Sequence, residues 1–261
     1  MKICDCFMFY NELEILDIRL HEVYDVVDYI IIIEATKTHT GKTKPLYYAE
    51  NKERYSKYSD KIVYMLTDFE EKHLFTRYLN APSADWYREH YQRECIQVAL
   101  NKLNLVDEDV IIVTDVDEIP NKVVMQNIKD NRLKIENNCT YSFEMALYYY
   151  NIELTTNRKW YHSVMFNHFT YKQIRLLTPV RLSKKTFTIS NSGWHLSYFG
   201  DENFIKNKVE SFAESTSYTS DGKDINYLKD CIEKSILHFN KEQLIYTPLQ
   251  QNTNVPSYFK V

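Results

Sequence analysis

The residues best equipped for chemistry in this 261-residue chain are the aspartates of Asp115-Val116-Asp117, set within Ile111-Ile112-Val113-Thr114-Asp115-Val116-Asp117-Glu118-Ile119-Pro120. Val110 to Val113 is apolar and β-branched, which reads as an interior strand that runs out at the acidic triplet and is stopped by Pro120. In an open α/β sheet ligands bind at the carboxyl ends of such strands. Two acids at alternate positions offer hard oxygen ligands to Mn²⁺ or Mg²⁺ carrying a phosphorylated substrate. Surface turns also produce Asp-x-Asp, so the apolar strand before the triplet carries the metal reading. Transfer from a sugar nucleotide needs this arrangement, because a departing diphosphate has to be neutralised. Asp117 is the first choice as direct ligand. Asp115 either binds the metal through water or holds a ribose, and Glu118 either joins the network or caps a helix after Pro120. His195, after Gly193-Trp194, either offers an imidazole as a further metal ligand or is a packed residue. Trp194 either offers an apolar face to a sugar ring or is plain core, and Gly193 permits close backbone approach.

These groups need a scaffold. Ile3 to Tyr10, Val26 to Glu34 and Ile62 to Leu66 read as strands. Between the first two, Leu13, Leu16, Leu20 and Val23 recur at helical spacing over Glu12 to Tyr24. Strand, helix, strand implies a parallel right-handed crossover. Pro82-Ser83 opens a helix over Asp85 to Leu103 that feeds the Asp-x-Asp strand. A shorter helix is expected over Lys122 to Asp130, and aromatic-rich strands over Thr140 to Tyr150 and Ser163 to Thr170. Helices follow over Phe204 to Phe212 and Asp224 to His238, with Ser215 to Lys223 as a mobile loop. The expectation is one α/β domain over residues 1–261, with a mixed, mainly parallel central sheet flanked by helices.

Composition narrows the function classes. A net charge of −4 with acids and bases interspersed gives no footprint for nucleic acid. No window approaches the roughly 18 apolar residues of a membrane span, and an early acid in Met1-Lys2-Ile3-Cys4-Asp5-Cys6 argues against a signal peptide. A soluble, cytoplasmic protein is expected. Five cysteines, an odd number without a CxxC pair, point to free thiols.

Several separated motifs together resemble glycosyltransferase family 17, the bisecting β-1,4-mannosyl-glycoprotein β-1,4-N-acetylglucosaminyltransferases and their microbial and viral relatives. They are Phe9-Tyr10-Asn11-Glu12 with Arg19-Leu20, Glu34 with Thr38-His39-Thr40-Gly41-Lys42, Gln92-Arg93, Asp115 to Pro120, Gly193-Trp194-His195 and Asp224-Ile225-Asn226-Tyr227. The resemblance implies a GT-A type fold, a metal-assisted UDP-N-acetylglucosamine donor, a glycan or glycoconjugate acceptor and inversion at the anomeric carbon. Asn11, Glu12 and Glu34 would then bind uracil and ribose, with helix capping as the other reading of Asn11. The loop containing Thr40 and Lys44 would wrap the nucleotide. Arg93 would contact the diphosphate or simply pair with Glu89 one turn away. Asp224 is the candidate base for the acceptor hydroxyl, with Glu144 behind it.

Two rivals remain at this stage. One is a transferase using another UDP-hexose. The other is a phosphatase of the haloacid dehalogenase type, which also uses a strand ending in Asp-x-Asp. That family needs its motif near the first strand, whereas here more than a hundred residues precede it, and Gly200-Asp201 lacks the further aspartate of the second acid cluster.

Overall fold

The computed structural model describes residues 1–215 and 221–260. β1 (Ile3–Phe9), α1 (Leu13–Val23), β2 (Tyr29–Ala35), the short α2 (Tyr47–Glu50) and β3 (Ile62–Thr67) come first. α3 (Ala84–Leu100) and β4 (Val110–Asp115) complete the first half. Four parallel strands result, in the order β3-β2-β1-β4. The fold class is therefore α/β, as the alternation of apolar strands and amphipathic helices requires. β1 alternates strictly: Phe7 and Phe9 face the layer of α1, while Cys4 and Cys6 face α3 with Cys95 and Ile96. All five cysteines are free. Ser83 caps α3 by accepting from Trp86 N–H.

The second half turns the sheet antiparallel. β5 (Glu118–Pro120), α4 (Lys122–Lys129), β6 (Tyr141–Tyr149), β7 (Leu154–Trp160) and β8 (Val164–Asn167) follow, with α5 (His168–Tyr171) and α6 (Leu177–Leu182) after them. β9 (Phe187–Ser197), α7 (Glu202–Ser211), α8 (Ile225–Glu233) and β10 (Ile245–Tyr246) close the chain. β8 pairs antiparallel with β4 and β6, and β6 continues the sheet to β7 and β10. β9 runs parallel to β6 and antiparallel to β5.

Three expectations are corrected here. Ser163 to Thr170 is strand only as far as Asn167, whose side chain then caps α5 through Thr170 N–H. Pro120 does not end the sheet, because Glu118–Pro120 re-enters it against β9. Glu118 is not the cap of the following helix; Asn121 is, accepting from Val123 N–H. Gly193 makes the β5–β9 pairing possible, since a Cβ there would lie 2.4 Å from the Ile119 carbonyl oxygen. The expected mobile segment over Ser215 to Lys223 falls largely on residues 216–220, outside the described residues. Among the described residues no helix is long and apolar enough to cross a membrane.

Candidate active site

β1 and β4 lie side by side with Met8 opposite Asp115, and the chain leaves them in opposite directions, β1 towards β2 and β4 towards β8. Their carboxyl ends thus form a topological switch point, where open α/β sheets bind ligands. A cavity of about 710 Å³ opens there. Its lining includes Glu12, Arg93, Asp115, Asp117, His195 and Lys208.

The backbone of the acidic turn is gripped from below. Arg19, fully buried on α1, pairs with Asp5 of β1 through Nε and Nη2 at 2.8 and 2.5 Å. Its Nη1 donates to the carbonyls of Asp115, Val116 and Glu118 at 2.9, 3.1 and 2.9 Å, and Nη2 also reaches Thr114 Oγ1 at 2.6 Å. The guanidinium lies 4.2 Å from the Phe7 ring centroid. Lysine, with a single nitrogen, cannot reproduce this fork.

Three consecutive residues of α3 brace the rest. Gln92 Nε2 donates to the Phe9 and Ile33 carbonyls and its Oε1 meets His39 Nε2 at 2.9 Å, tying the ends of β1 and β2 to the 38–42 loop. Arg93 reaches Asp115 Oδ1 at 3.3 Å and Glu89 at 2.9 Å. Glu94, fully buried, accepts the backbone N–H groups of Leu177 and Thr178 at 2.8 Å each. A carboxylate at this end of α6 satisfies two otherwise orphaned donors and fixes the helix that carries Arg181. Arg181 then donates to Glu118 Oε1 and Oε2 at 2.5 and 2.7 Å and to Asp115 Oδ2 at 2.6 Å.

Glu118 also accepts from Trp160 Nε1, Ser163 Oγ and the Asp115 N–H, which leaves it a buried anchor that does not line the cavity. Burial works to raise its pKa, but the Arg181 guanidinium outweighs that and holds the carboxyl below the ordinary range. Asp117 lies 2.7 Å from Lys208 Nζ and 3.6 Å from His195 Nε2. Burial opposes its charge too, yet Lys208 and then His195 keep it well below the usual carboxylate range.

The other sequence candidates divide. Glu12 lines the cavity, its Oε2 accepting from the Tyr10 and Asn11 N–H groups. Lys44 lines it as well, but its ammonium pairs with Glu34 at 3.3 Å and lies over the Tyr10 and Tyr47 rings. Glu34 is fully buried and accepts from Tyr48 N–H, Ala49 N–H and Tyr64 Oη, so it anchors α2 and does not face the cavity. Asn11 bonds Asn207, and Thr40 bonds Thr38 and the Glu210 carbonyl, both outside the lining. Trp194 turns the other way: its Nε1 donates to Asn254 and its ring sits in the core. Neighbours on a strand face opposite sides, so Trp194 and His195 cannot both meet the cavity. Asp224 is the exposed N-cap of α8, accepting from Tyr227 N–H, and neither it nor Glu144 lines the cavity.

Sequence reasoning missed Arg181, Lys208 and Trp160. Trp160 lines the cavity together with Trp86, and lies 4.5 Å from both the His162 and His195 rings. One signal for Arg181 lay in plain view: residues 154–200 contain cations but no acid, so a buried cation there has to find its partner in a distant segment.

The family model of glycosyltransferase family 17 matches residues 1–246. The chain belongs to glycosyltransferase family 17. Among curated proteins, the β-1,4-mannosyl-glycoprotein 4-β-N-acetylglucosaminyltransferases of Rattus norvegicus and Homo sapiens are each 24% identical over 255 residues, 85% of this chain. The Mus musculus protein of the same name is 23% identical over the same share. This family member spans about half the length of those relatives, 45% of the rat and 46% of the human protein. Family membership removes the phosphatase reading.

A divalent cation is what this family member's acidic turn suggests, and Asp117 with His195 offers two donors towards one. Asp117 Oδ1 and His195 Nε2 are 3.6 Å apart, and His195 Nδ1 is buried without a hydrogen-bond partner among the described residues. Small divalent ions take one or two protein ligands and complete their shell with phosphate and water. Asp115, with Arg93 and Arg181 on its two oxygens, is not free to join them. Among the described residues no group of three acidic, His or Cys side chains converges on one point.

Proposed function

We propose that this protein transfers N-acetylglucosamine from UDP-N-acetylglucosamine to a glycan or glycoconjugate acceptor, with inversion and with help from Mn²⁺ or Mg²⁺, on a GT-A type arrangement of its sheet. The observation that carries this reading is the acidic turn at the β1/β4 switch point, opening onto a cavity large enough for a nucleotide sugar. The names of the relatives support the transferred sugar and the glycan acceptor.

The chain's own residues divide the work. Asp117 and His195 would hold the cation, which when bound neutralises the departing diphosphate. Arg93, fixed between Glu89 and Asp115, places a guanidinium on the same wall. Trp160, Trp86 and Tyr198 give the cavity aromatic faces suited to the apolar faces of sugar rings. The acceptor hydroxyl must lose a proton as its oxygen attacks. Among the acids lining the cavity, Glu214 has no ion-pair partner among the described residues. Partial burial and the nearby charge of Glu89 raise its carboxyl above the ordinary value, towards that of a working base. It takes the place that the sequence alone assigned to Asp224.

Thermal unfolding with UDP-N-acetylglucosamine, UDP-glucose and UDP-galactose, each with and without Mn²⁺, tests the reading, because a ligand of the folded state stabilises it. Stabilisation that requires Mn²⁺ and favours the acetamido sugar is expected. Equal response to all three sugars would remove the named donor, and no response to any would remove the transferase reading.

A further inference from the structure

Lys208 has no role in what has been derived so far. It projects from α7 into the cavity with 17% of its side chain exposed. Its Nζ is 2.7 Å from Asp117 Oδ2 and 3.5 Å from Glu12 Oε1. The helix beneath it meets the first half of the chain through polar contacts: Tyr10 Oη bonds Asn207 and Ser211, and Thr40 N–H donates to the Ser211 carbonyl.

The ammonium therefore stands on the carboxylate to which a cation would bind. A divalent ion and a lysine ammonium sharing Asp117 repel each other at short range in a desolvated site. Beside them, the His195 Nδ1 is buried without a hydrogen-bond partner among the described residues. A diphosphate would resolve the conflict, since its oxygens can accept from the ammonium while neutralising a cation beside it.

We propose that Lys208 is a diphosphate-binding residue that holds the acidic turn against a divalent cation until a nucleoside diphosphate arrives to take its ammonium. This rests on the transferase reading and goes beyond it, because it makes cation and donor enter together. No covalent step is involved; the ammonium exchanges a carboxylate partner for a phosphate one. Linkage requires that UDP raise Mn²⁺ affinity by the same factor as Mn²⁺ raises UDP affinity.

Titration calorimetry with MnCl₂ alone, and with MnCl₂ in the presence of UDP, measures this on the whole protein, on Lys208→Met and on Lys208→Gln. The glutamine keeps a donor near Asp117 if the methionine variant folds poorly. The wild type should bind Mn²⁺ weakly alone and about tenfold or more tightly with UDP. Either variant should bind Mn²⁺ alone about tenfold more tightly than the wild type and lose most of the enhancement by UDP. Mn²⁺ affinity that is unchanged or lower in both variants, with UDP enhancement intact, overturns the role of Lys208 and leaves the transferase reading standing. If no form binds Mn²⁺ even with UDP, the cation reading falls and the proposal with it.

Discussion

Replacing Arg181 by methionine should cost more than any surface substitution in this protein, and its cost should shrink in acid. Arg181 is 3% exposed and Glu118 fully buried, joined by bonds of 2.5 and 2.7 Å. Removing one member of a buried pair costs about 3 to 5 kcal/mol, because the other charge is stranded. Glu118 would keep three neutral donors, Trp160 Nε1, Ser163 Oγ and the Asp115 N–H, at 2.6, 2.8 and 3.1 Å. That places Arg181→Met near the low end, at about 3 kcal/mol. For a domain of this size the loss corresponds to a Tm drop of roughly 6 to 12 °C.

The pH dependence gives the sharper test. In the wild type the folded pKa of Glu118 lies below its ordinary value, so its contribution is present above about pH 4.5 and is lost as pH falls through the folded pKa. In the variant, burial acts without the opposing guanidinium and the folded pKa rises above the ordinary value. The unpaired carboxylate then takes up a proton as pH falls, and the gap between variant and wild type narrows. Adding Glu118→Gln should recover much of the loss at neutral pH. Thermal scans of the three proteins between about pH 5 and pH 8 provide the measurement. A variant within about 1 kcal/mol of wild type at neutral pH, or a deficit that is constant across that range, would refute the stranded-charge argument.

Other outcomes follow from the same geometry. Asp224→Ala should cost about 1 kcal/mol as a lost helix cap while transfer stays near normal, whereas Glu214→Gln should lower kcat with donor affinity unchanged; the reverse pattern in steady-state kinetics would restore Asp224 as the base. Gly193→Ala should destabilise by about 1 to 3 kcal/mol in denaturant titrations, since the new methyl group meets the Ile119 carbonyl, and a neutral effect would mean that β5 yields easily. Burial lowers the His238 pKa from 6.5 to about 4, so the unfolded chain binds the proton first. Stability is complete above about pH 6.5 and falls between 6.5 and 4 by at most about 3 kcal/mol, a loss that His238→Gln should reduce when stability is followed across that interval.

The sheet was legible where apolar residues carried it. β1, β2 and β4 are runs of buried residues, and their parallel register puts Glu12, Glu34 and Asp115 on one rim as the strand order implied. β9 was not legible as a strand at all, because its first half is exposed and Ser190, Asn191 and Ser192 interrupt its apolar pattern. Asn191 does adopt a left-handed φ of 49°, and the pairing with β6 shifts register there. The acidic turn was legible as chemistry, but its partners were not. Arg181 lies on a six-residue helix with no periodicity to mark a buried face, and it meets Glu118 across 63 residues of chain. Lys208 looks like any cation on an amphipathic helix until the fold brings Asp117 to it. Trp194 could have been placed from strand alternation alone once His195 was assigned to the cavity.

Arg19 holds the acidic turn by its carbonyl oxygens and not by its carboxylates. Every residue type carries that same oxygen, so the shape of the turn is insulated from the identity of the side chains displayed on it. Position 117, whose carboxylate no arginine holds, can accordingly be exchanged for other ligands, such as asparagine, glutamate or histidine, while the backbone beneath stays in place. The jig, made of β1 and α1, also leaves the ribosome well before the segment it shapes. A library varying position 117 over an untouched Asp5–Arg19 pair would therefore change what the turn displays on a constant frame, separating display from scaffold.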